Sequence, residues 1–397
     1  MSEWKEYKLG DIADVKGGKR LPKGELLVNY ETPHPYIRIT DLGEKWIRKA
    51  GLQFVPSEIQ KNISRYIVNS GDVILSIVGS IGFVGRIPQE LNGANLTENC
   101  VKFLTNKKII DNDFLYYFLL SSIGQEEINK RNVGSTQPKL PLYNIKDVDI
   151  SLPPLPEQTA IASILSSLDD KIDLLHRQNA TLEKMAETLF RQWFVEEAKE
   201  EWENCVLEDL CSQINSGGTP STKIETYYNG NINWYSTKEL NDNYLFESIS
   251  KITQDGLENS AAKLFPKGTV LIAIYAAPTV GRLGILGNQS AFNQAACGLI
   301  ANDKICCKEF IYLYLKNQRN ELNAMASGSA QQNLNVGKIK TYPAFIPDDI
   351  TMNKFKREII PFFEKIEKNA MQIRTIKALR DTLLPKLMSG EVRVEPD

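Results

Sequence analysis

The segment LPEQTAIASILSSLDDKIDLLHRQNATLEKMAETLFRQWF (residues 155–194) decides the architecture of this chain. Apolar residues return along it at alternating steps of four and three, which is the spacing of a heptad seam on one helix face. The seam consists of Ile161, Leu165, Leu168, Ile172, Leu175, Asn179, Leu182, Ala186, Leu189 and Trp193. It predicts a spacer helix within residues 155–198, about 50 Å long along the seam at 1.5 Å per residue.

A second seam with the same steps lies near the C-terminal end of the chain, after Pro347. It consists of Phe355, Ile359, Phe362, Ile366, Asn369, Ile373, Ile376, Arg380, Leu383 and Leu387. It predicts a second spacer helix within residues 347–397. Two amphipathic helices that pack only on their own domains are the alternative, but the length of both seams favours helices that pack on each other.

Each seam contains one asparagine, and an amide in a seam is costly unless it meets a polar partner. A tandem duplication often forms a pseudo-two-fold object, and two helices related by a two-fold axis across them run antiparallel. Pairing Asn179 with Asn369 then fixes the register of the two helices. The same register brings together four further pairs, namely Ala186 with Phe362, Trp193 with Phe355, Leu175 with Ile373, and Ile172 with Ile376. Its weak layer is Leu168 with Arg380, whose stem must snorkel to solvent. We therefore expect an antiparallel two-helix coiled coil.

The remainder of the chain is an internal repeat with a period of roughly 195 residues. Matching segments follow one another in the same order: Gly17-Gly18 and Gly217-Gly218, YIRITDL (36–42) and WYSTKEL (234–240), SGDVILSI (70–77) and KGTVLIAI (267–274), DFLYYFL (113–119) and EFIYLYL (309–315), GSTQPKL (134–140) and GSAQQNL (328–334). So many matches in one order indicate a tandem duplication. It predicts one globular domain over residues 1–154 and a similar one over residues 199–346.

Both domains have the pattern of mixed helix and strand. VILSIV (73–78) and VLIAIY (270–275) are the strongest strand candidates because they are rich in β-branched and aromatic residues. A short apolar helix follows in each half, at 114–120 and 310–316. The predicted fold class is α+β, with two similar α/β-mixed domains in a pseudo-two-fold tandem repeat joined by the coiled coil.

Composition excludes several classes of protein. Hydrophobic residues make up 42% and charged residues 24% of the 397 residues, as in soluble globular proteins. The chain has neither an apolar run of about 20 residues nor an apolar signal core, so we expect a cytoplasmic protein that does not contact a membrane. Six cysteines without a C-x-x-C pair and two histidines without a ligand spacing argue against a metal site.

The sequence also lacks the motifs of an enzyme that would act on DNA. It has no phosphate-binding G-x-x-x-x-G-K-[ST] loop and no Asn/Asp-Pro-Pro-aromatic loop of an adenine methyltransferase. The set Asp348, Asp349 and Lys354 faintly resembles a nuclease site, but acids at a helix start are explained by capping. We therefore expect a non-catalytic protein that needs no cofactor.

The charge distribution permits contact with DNA. The formal net charge is −2, which is unusual for a nucleic-acid binder. Residues 157–203, however, contain 5 basic and 11 acidic residues, a local charge of −6, so the remainder carries +4. The acidic excess is confined to the first spacer helix and the residues just after it.

Several segments resemble type I restriction-modification specificity subunits. ISLPPLPEQTAIASILSSLDDKIDLLHRQNATLEKMAETLFRQWF (150–194) is similar to the central conserved region of that family, and LRDTLLPKLMSGEV (379–392) to its C-terminal end. Three further segments resemble parts of the target-recognition domains of the family: INSGGTPST (214–222), AFNQAACGLI (291–300) and GSTQPKL (134–140). One departure is GGKRLPKG in the first domain, where the second has GGTPST, which puts a shared contact at this loop in doubt.

The resemblance implies a function for the two domains and the two helices. Each domain would be a target-recognition domain that reads one half of a split sequence in double-stranded DNA. The helices would set the spacing and dock two methyltransferase (modification) subunits, and restriction subunits would join the same assembly. Two other classes remain open, a scaffold whose domains bind protein and a homo-oligomer whose helices pair between chains. A specificity subunit of another methyltransferase-based defence system is also compatible.

Candidate DNA contacts are polar residues on loops and strand ends, because phosphates need basic or small donors, guanine favours Arg, and adenine favours Asn or Gln. In the first domain they are Lys16, Lys19, Arg20, Lys23, Arg38, Ser80, Gln137 and Lys139. In the second domain they are Ser216, Thr219, Ser221, Lys223, Lys238, Tyr275, Gln331, Gln332 and Asn333. Solvated turns are the alternative explanation for each of these residues.

Overall fold

The computed structural model describes residues 4–43, 45–47, 49, 51–134, 138–275, 279–327 and 334–395, except the side chains of residues 326 and 327. The chain divides into two compact units. Unit 1 comprises Met1–Asp173 and Thr375–Asp397, and unit 2 comprises Leu174–Arg374. Each unit therefore contains one globular domain and a portion of both long helices.

Unit 1 is built from short strands and helices. Its strands are β1 (Lys5–Lys8), β2 (Ala13–Gly17), β3 (Pro35–Ile37), β4 (Gln53–Phe54), β5 (Val73–Ser76), β6 (Val84–Arg86), β7 (Asn95–Leu96), β8 (Cys100–Thr105) and β9 (Asp149–Leu152). Its helices are α1 (Leu9–Ile12), α2 (Ser57–Gln60), α3 (Asn112–Leu120), α4 (Ser122–Lys130) and α5 (Leu142–Lys146), followed by the start of α6 (Leu155–Arg191). The Asp111 side chain caps α3 by accepting from the Asp113 and Phe114 amides.

Unit 2 repeats this succession of elements. Its strands are β10 (Glu203–Val206), β11 (Cys211–Ser216), β12 (Tyr228–Tyr235), β13 (Asn243–Leu245), β14 (Ser250–Ile252), β15 (Val270–Ala273), β16 (Leu283–Leu286), β17 (Ala291–Phe292), β18 (Ala296–Ala301) and β19 (Pro343–Ile346). Its helices are α7 (Gln254–Glu258), α8 (Lys308–Asn317), α9 (Arg319–Ser327) and α10 (Val336–Lys340), followed by the start of α11 (Asp349–Met388).

The sheets of the two units share one topology. Unit 1 has the strand orders β2-β8-β5-β6, β4-β3-β7 and β1-β9. Unit 2 has β11-β18-β15-β16, extended by β13, with β14-β12-β17 and β10-β19. In the three-stranded sheets, β3 pairs in parallel with β7 and β12 with β17, while their other neighbours are antiparallel. The predicted α+β fold class and the two-domain repeat are therefore confirmed, with β13 as a strand that, among the described residues, only unit 2 has.

Each unit has its own large core. In unit 1, residues of α3 such as Phe114 pack with strand residues such as Val73 and with Ile161 of α6. In unit 2, Phe310 of α8 occupies the corresponding place, with Phe190 of α6 and Phe355 of α11. The seam residues of both long helices therefore have a second role, because they close the cores of the globular domains as well as facing each other.

The two long helices begin directly after the globular domains. Helix α6 has 37 residues and continues into a π-helical turn over Gln192–Glu196. Helix α11 has 40 residues. The Asp348 carboxylate caps α11 by accepting from the Thr351 amide at 2.9 Å. Hydrogen bonds from Lys199, Trp202 and Thr351 hold the pKa of Asp348 well below its usual range, which fits a structural cap.

Candidate nucleic-acid interface

In each unit an aromatic side chain holds a glycine loop against the three-stranded sheet. The Tyr36 hydroxyl, on β3, donates to the Lys19 carbonyl oxygen at 3.0 Å. The Trp234 indole nitrogen, on β12, donates to the Gly218 carbonyl oxygen at 2.8 Å. Because both aromatics stand at the same place in the repeat, Lys19 corresponds to Gly218. The loops after β2 and β11 are thus anchored in the same way despite their different sequences.

Backbone hydrogen bonds give the same alignment of the glycine loops. The Gly18 amide donates to the first carbonyl oxygen of β8 at 3.0 Å, and the Lys19 amide donates to the last one of β7 at 2.8 Å. The Gly217 and Gly218 amides donate to the equivalent oxygens beside β17, at 3.2 and 2.9 Å. Gly18 is therefore matched by Gly217, and the sequence alignment of Gly17-Gly18 with Gly217-Gly218 is one residue out of register. The sequence alignment matched the two Gly-Gly pairs with each other, but Gly17 is the last residue of strand β2 and only Gly18 belongs to the loop.

The corrected alignment makes Arg20 the counterpart of Thr219. The Arg20 guanidinium pairs with Glu98 at 2.6 Å, and the Thr219 hydroxyl hydrogen-bonds Gln294. Burial alone would raise the pKa of Glu98, but the hydrogen bond from Arg20 and neighbouring donors lower it. The loop thus has the same hydrogen-bonded link in both units, charged in unit 1 and neutral in unit 2.

Arg38 and Ser236 are a second matched pair with different chemistry. Each is the N-cap of a single 3₁₀ turn. The last residue of that turn, Asp41 or Glu239, accepts a hydrogen bond from the backbone amide of the N-cap. The Arg38 guanidinium also donates to both carboxylate oxygens of Asp41, at 3.2 and 3.0 Å, and to the Gln53 amide oxygen at 2.6 Å. In unit 2 the Ser236 hydroxyl donates to Glu239 at 2.9 Å.

Arg20 and Arg38 face one cleft of about 680 Å³ in unit 1. Its polar lining comes from the glycine loop, the turn after β3, the facing strand β4 and the segment after β7, and consists of Arg20, Glu25, Arg38, Thr40, Gln53, Thr97, Glu98 and Asn99. Leu26, which is 80% exposed, lines the same cleft. Two of the residues predicted to contact DNA therefore meet in one concave surface.

The other predicted DNA-contact residues that are described in unit 1 have exposed side chains and lie near the cleft or beside the four-stranded sheet. Lys16 is exposed on β2 and pairs with Asp14 at 2.6 Å. The Lys19 ammonium lies 5.8 Å from the centre of the Tyr66 ring, and Lys23 is exposed. Lys139 forms a backbone bridge with Val78, which places it beside the strand end that leads to the exposed Ser80.

The candidates of unit 2 differ in exposure. Ser221, Lys223 and Lys238 are exposed, whereas Ser216 is half-buried at the end of β11. Tyr275 is half-buried and packs against the hydrophobic core of the unit. Four candidates, Gln137, Gln331, Gln332 and Asn333, lie outside the described residues.

Sequence reasoning missed the partners that hold the predicted arginines. Gln53 faces Tyr36 across the β3–β4 pair, and Glu98 follows β7, so both reach the cleft only through strand pairing. The neutral counterpart of Glu98, Gln294, was missed for the same reason. The strands that match each other here, QF (53–54) and SKI (250–252), are too short to show a strand pattern in the sequence.

The long helices are antiparallel within each unit, as predicted. In unit 2 the Asn369 amide donates to the Asn179 amide oxygen at 2.8 Å, and the Trp193 and Phe355 ring centres are 5.9 Å apart. Leu175, Ile373 and Ala186 are buried, and Phe362 is partly buried against the core that contains Ala186. This geometry has the register in which Asn179 faces Asn369.

The layer of Leu168 and Arg380 in unit 1 is stabilised in a way that the sequence did not predict. Arg380 does not only extend its stem past Leu168, because its guanidinium pairs with the buried Asp169 carboxylate at 2.8 Å. The Tyr117 hydroxyl donates to the same carboxylate at 2.7 Å. Burial opposes the charge of Arg380, but the hydrogen bonds that it donates to Asp169 and Asp381 raise its pKa above the ordinary value. The expectation of simple snorkelling was wrong because it overlooked the acid beside the seam.

Three further observations concern possible metal ligands, cysteine thiols and the hydropathy of the helices. Within those residues, no group of three or more His, Cys, Asp or Glu side chains is placed to hold a metal ion. Burial raises the pKa of the Cys205 thiol to about 11 and that of Cys211 to about 12, which makes both poor nucleophiles at neutral pH. Over the same described part of the chain, no helix is long and apolar enough to cross a membrane.

A family model for the type I restriction modification DNA specificity domain matches this chain twice, at residues 1–184 and 199–379. The chain belongs to this family. The two matches correspond to the two halves of the internal repeat, and they confirm the resemblance drawn from residues 150–194. DNA recognition by such domains is general to the family, whose members are specificity subunits of type I restriction-modification systems.

The chain is similar to known proteins over almost its whole length. It is 27% identical to the type I restriction enzyme MjaIX specificity subunit of Methanocaldococcus jannaschii, over 99% of this chain and 94% of that protein. It is 23% identical to the type I restriction enzyme HindI specificity subunit of Haemophilus influenzae, over 99% of this chain and 100% of that protein. The fold is similar to the crystal structure of the type I restriction-modification S subunit from M. genitalium, with a TM-score of 0.59, 17% identity, and coverage of 97% and 96% of the two chains.

Proposed function

We propose that this chain is the DNA specificity subunit of a type I restriction-modification complex in which each domain binds one half of a bipartite target. Residues 1–154 and 199–346 are the two target-recognition domains in this proposal. The observation that carries it is the repeated glycine-loop frame, in which Arg20–Glu98 and Arg38–Asp41 of one domain are replaced by Thr219–Gln294 and Ser236–Glu239 of the other. A shared frame with different polar side chains is what two readers of different sequences require.

The spacer helices have two roles in this proposal. Residues 155–198 and 347–397 set the distance between the two half-sites and dock two methyltransferase subunits, and restriction subunits join the complex in the cytoplasm. An exposed apolar groove on α6, lined by Ala180, Thr181, Lys184, Met185, Thr188 and Leu189, supports the docking role. Met185 is 47% exposed within this apolar groove, and contiguous exposed apolar surface often marks a site of protein interaction.

The chain contributes recognition and no catalysis in this proposal. The methyl group and the energy for restriction come from the other subunits, so the chain binds no cofactor of its own. Its contacts with phosphates come from exposed Lys16, Lys23, Lys223 and Lys238, which makes binding to double-stranded DNA strongly dependent on salt.

Mapping of methylated bases tests the proposal directly. The full chain is co-expressed with the modification subunits in a host without other methyltransferases, and methyladenine is mapped across the genome. The expected result is one split motif with a fixed spacer, and co-purification of two modification subunits with one copy of this chain. A stable complex without any modified motif would favour a protein-binding scaffold. A motif without a type I modification partner would favour another methyltransferase-based defence system.

Docking at the α6 groove has its own test. Met185→Glu places a charge in the groove and is expected to release the modification subunits from the purified complex. Thr181→Ser, in the same groove, is the matched control and should leave the complex intact. Retention of both modification subunits by Met185→Glu would place the docking surface elsewhere.

A further inference from the structure

We infer that Arg38 reads a guanine in the half-site bound by unit 1, and that unit 2 has no counterpart of this contact. The inference rests on the proposed function and adds a specificity-determining residue to it. It follows from the hydrogen bonds around Arg38, from the charge of the cleft, and from the matched position in unit 2.

After its hydrogen bonds within the described part of the protein, the Arg38 guanidinium has two N–H donors left, and the major-groove edge of guanine has two acceptors. A guanidinium has five N–H donors. Nε and Nη2 each donate once to Asp41, and Nη1 donates once to Gln53. Among the described residues no other acceptor bonds the Arg38 guanidinium, so one N–H on Nη1 and one on Nη2 remain. Guanine presents two neighbouring acceptors, O6 and N7, on its major-groove edge.

The guanidinium is also held in place before any ligand arrives. Asp41 accepts from the Arg38 backbone amide at 2.7 Å as well as from its side chain, so one carboxylate fixes both. Gln53 is itself held by donating to the Asn29 side chain at 2.9 Å. The Arg38 side chain remains 31% exposed. A fixed and accessible fork loses little conformational freedom on binding, which favours selective recognition.

The cleft around Arg38 fits a base edge better than a phosphate. Its lining includes Arg20 and Arg38 but also Glu25 and Glu98, so the formal charges balance. A phosphate would meet two carboxylates there, whereas the neutral edge of a base would not be repelled. Thr40 and Asn99 add uncharged hydrogen-bonding groups to the same lining.

The matched position of unit 2 cannot make this contact. Ser236 replaces Arg38, and Ser250 faces Trp234 where Gln53 faces Tyr36. The Glu239 carboxylate is bonded to the backbone amides of Ser236 and Ile249, both at 2.8 Å. Two hydroxyl groups take the place of a guanidinium and an amide, and neither can span O6 and N7 as a planar fork does.

Chemically altered DNA tests the inference on the wild-type complex. The complex is bound to duplexes of its methylated motif in which each guanine in turn is replaced by 7-deazaguanine, which lacks the N7 acceptor. We expect a sharp loss of affinity at one guanine in one half-site. The variants Arg38→Ala and Arg38→Gln should abolish that sensitivity and reduce the preference for guanine at the same position by roughly 5- to 150-fold. Ser236→Ala is the matched control and should change neither.

The outcomes separate this inference from the proposed function. A wild-type complex that methylates a split motif but shows no sensitive guanine in either half overturns the role of Arg38 alone. So does an Arg38→Gln motif that requires the same guanine as before. If one variant fails to fold, the other is used, and a 7-deazaguanine scan of the wild type without a sensitive guanine overturns the inference on its own. Absence of any motif in the wild type overturns the proposed function itself.

Discussion

The two globular domains of this chain differ less in their frame than in the side chains that the frame presents. Both hold a glycine loop with an aromatic side chain, Tyr36 or Trp234, and both start a 3₁₀ turn with a capping box. On that frame unit 1 places arginines with carboxylates and unit 2 places hydroxyl groups with amide or carboxylate partners. After duplication, the backbone contacts were retained while the exposed polar groups diverged. Recognition can therefore change at a few positions without rebuilding the fold.

The largest effect is expected where a long helix meets the domain of unit 1. Asp169→Ala would leave Arg380 and the Tyr117 hydroxyl without their shared carboxylate. We expect the free energy of unfolding of unit 1 to fall by about 3 kcal/mol, the lower end for a broken buried ion pair, because Asp381 still pairs with Arg380. Hydrogen exchange resolved by segment measures this, since protection in α3 should fall while protection in α8 is unchanged. Equal loss in both helices would contradict the assignment.

A smaller loss is expected at the asparagine layer of unit 2. Asn369→Ala would leave the Asn179 amide without its partner in the seam. Because Asn179 is half-buried and water can reach it, we expect a loss of about 1–2 kcal/mol in protection of the unit 2 helices. The double variant Asn179→Leu with Asn369→Leu is the control. It should be no less stable than Asn369→Ala, and a larger loss in the double variant would mean that the amides do more than satisfy each other.

These two layers show how far the sequence could be read. The seams were visible because apolar residues keep a heptad spacing, and the two asparagines were the only polar interruptions that could meet in one register. Asp169 was not predicted because it lies beside the seam on a helix rich in acids, where a carboxylate is ordinarily solvated. Its burial depends on Tyr117, which the fold brings from α3, 52 positions earlier.

The candidate site divides in a similar way. Arg20 and Arg38 could be selected as donors from residue type and loop position. Their partners Glu98 and Gln53 could not, since each is placed by strand pairs that are two or three residues long. The glycine loops were found from the double glycines, but the register between them depends on which amide donates to β7 or β17. That information lies in the backbone geometry, which a repeated Gly-Gly pair leaves ambiguous.

The corrected register of the glycine loops can be tested by adding single methyl groups. A Cβ at Gly18 would overlap the Thr97 carbonyl oxygen, and one at Gly217 would overlap that of Phe292. Gly18→Ala should therefore lower the free energy of unfolding of unit 1 by about 1–3 kcal/mol, and Gly217→Ala should do the same in unit 2. Gly17→Ala is the control, because a Cβ there would meet no atom within 4 Å. If Gly17→Ala were as damaging as Gly18→Ala, the sequence alignment would be right and the structural one wrong.

The smallest expected effect concerns the acid sensitivity of the loop link. The pKa of Glu98 is lowered in the folded chain, so its pair with Arg20 stabilises the fold above the unfolded value near 4.5 and is lost as the pH falls through the folded value. Arg20 is 78% exposed, so screening by solvent keeps this contribution small.

The substitution Glu98→Gln isolates this contribution, because it gives unit 1 the amide that Gln294 supplies in unit 2. Hydrogen exchange of β7 and β8 should show the variant less protected than the wild type at pH 7. The two proteins should be equally protected once the pH is below the lowered pKa of the wild-type carboxylate. Protection of β17 and β18 should be the same in both proteins at both pH values. A difference that persisted at the lower pH would mean that Glu98 acts through its shape and hydrogen bonds, and the contrast between a charged and a neutral link would then have no bearing on stability.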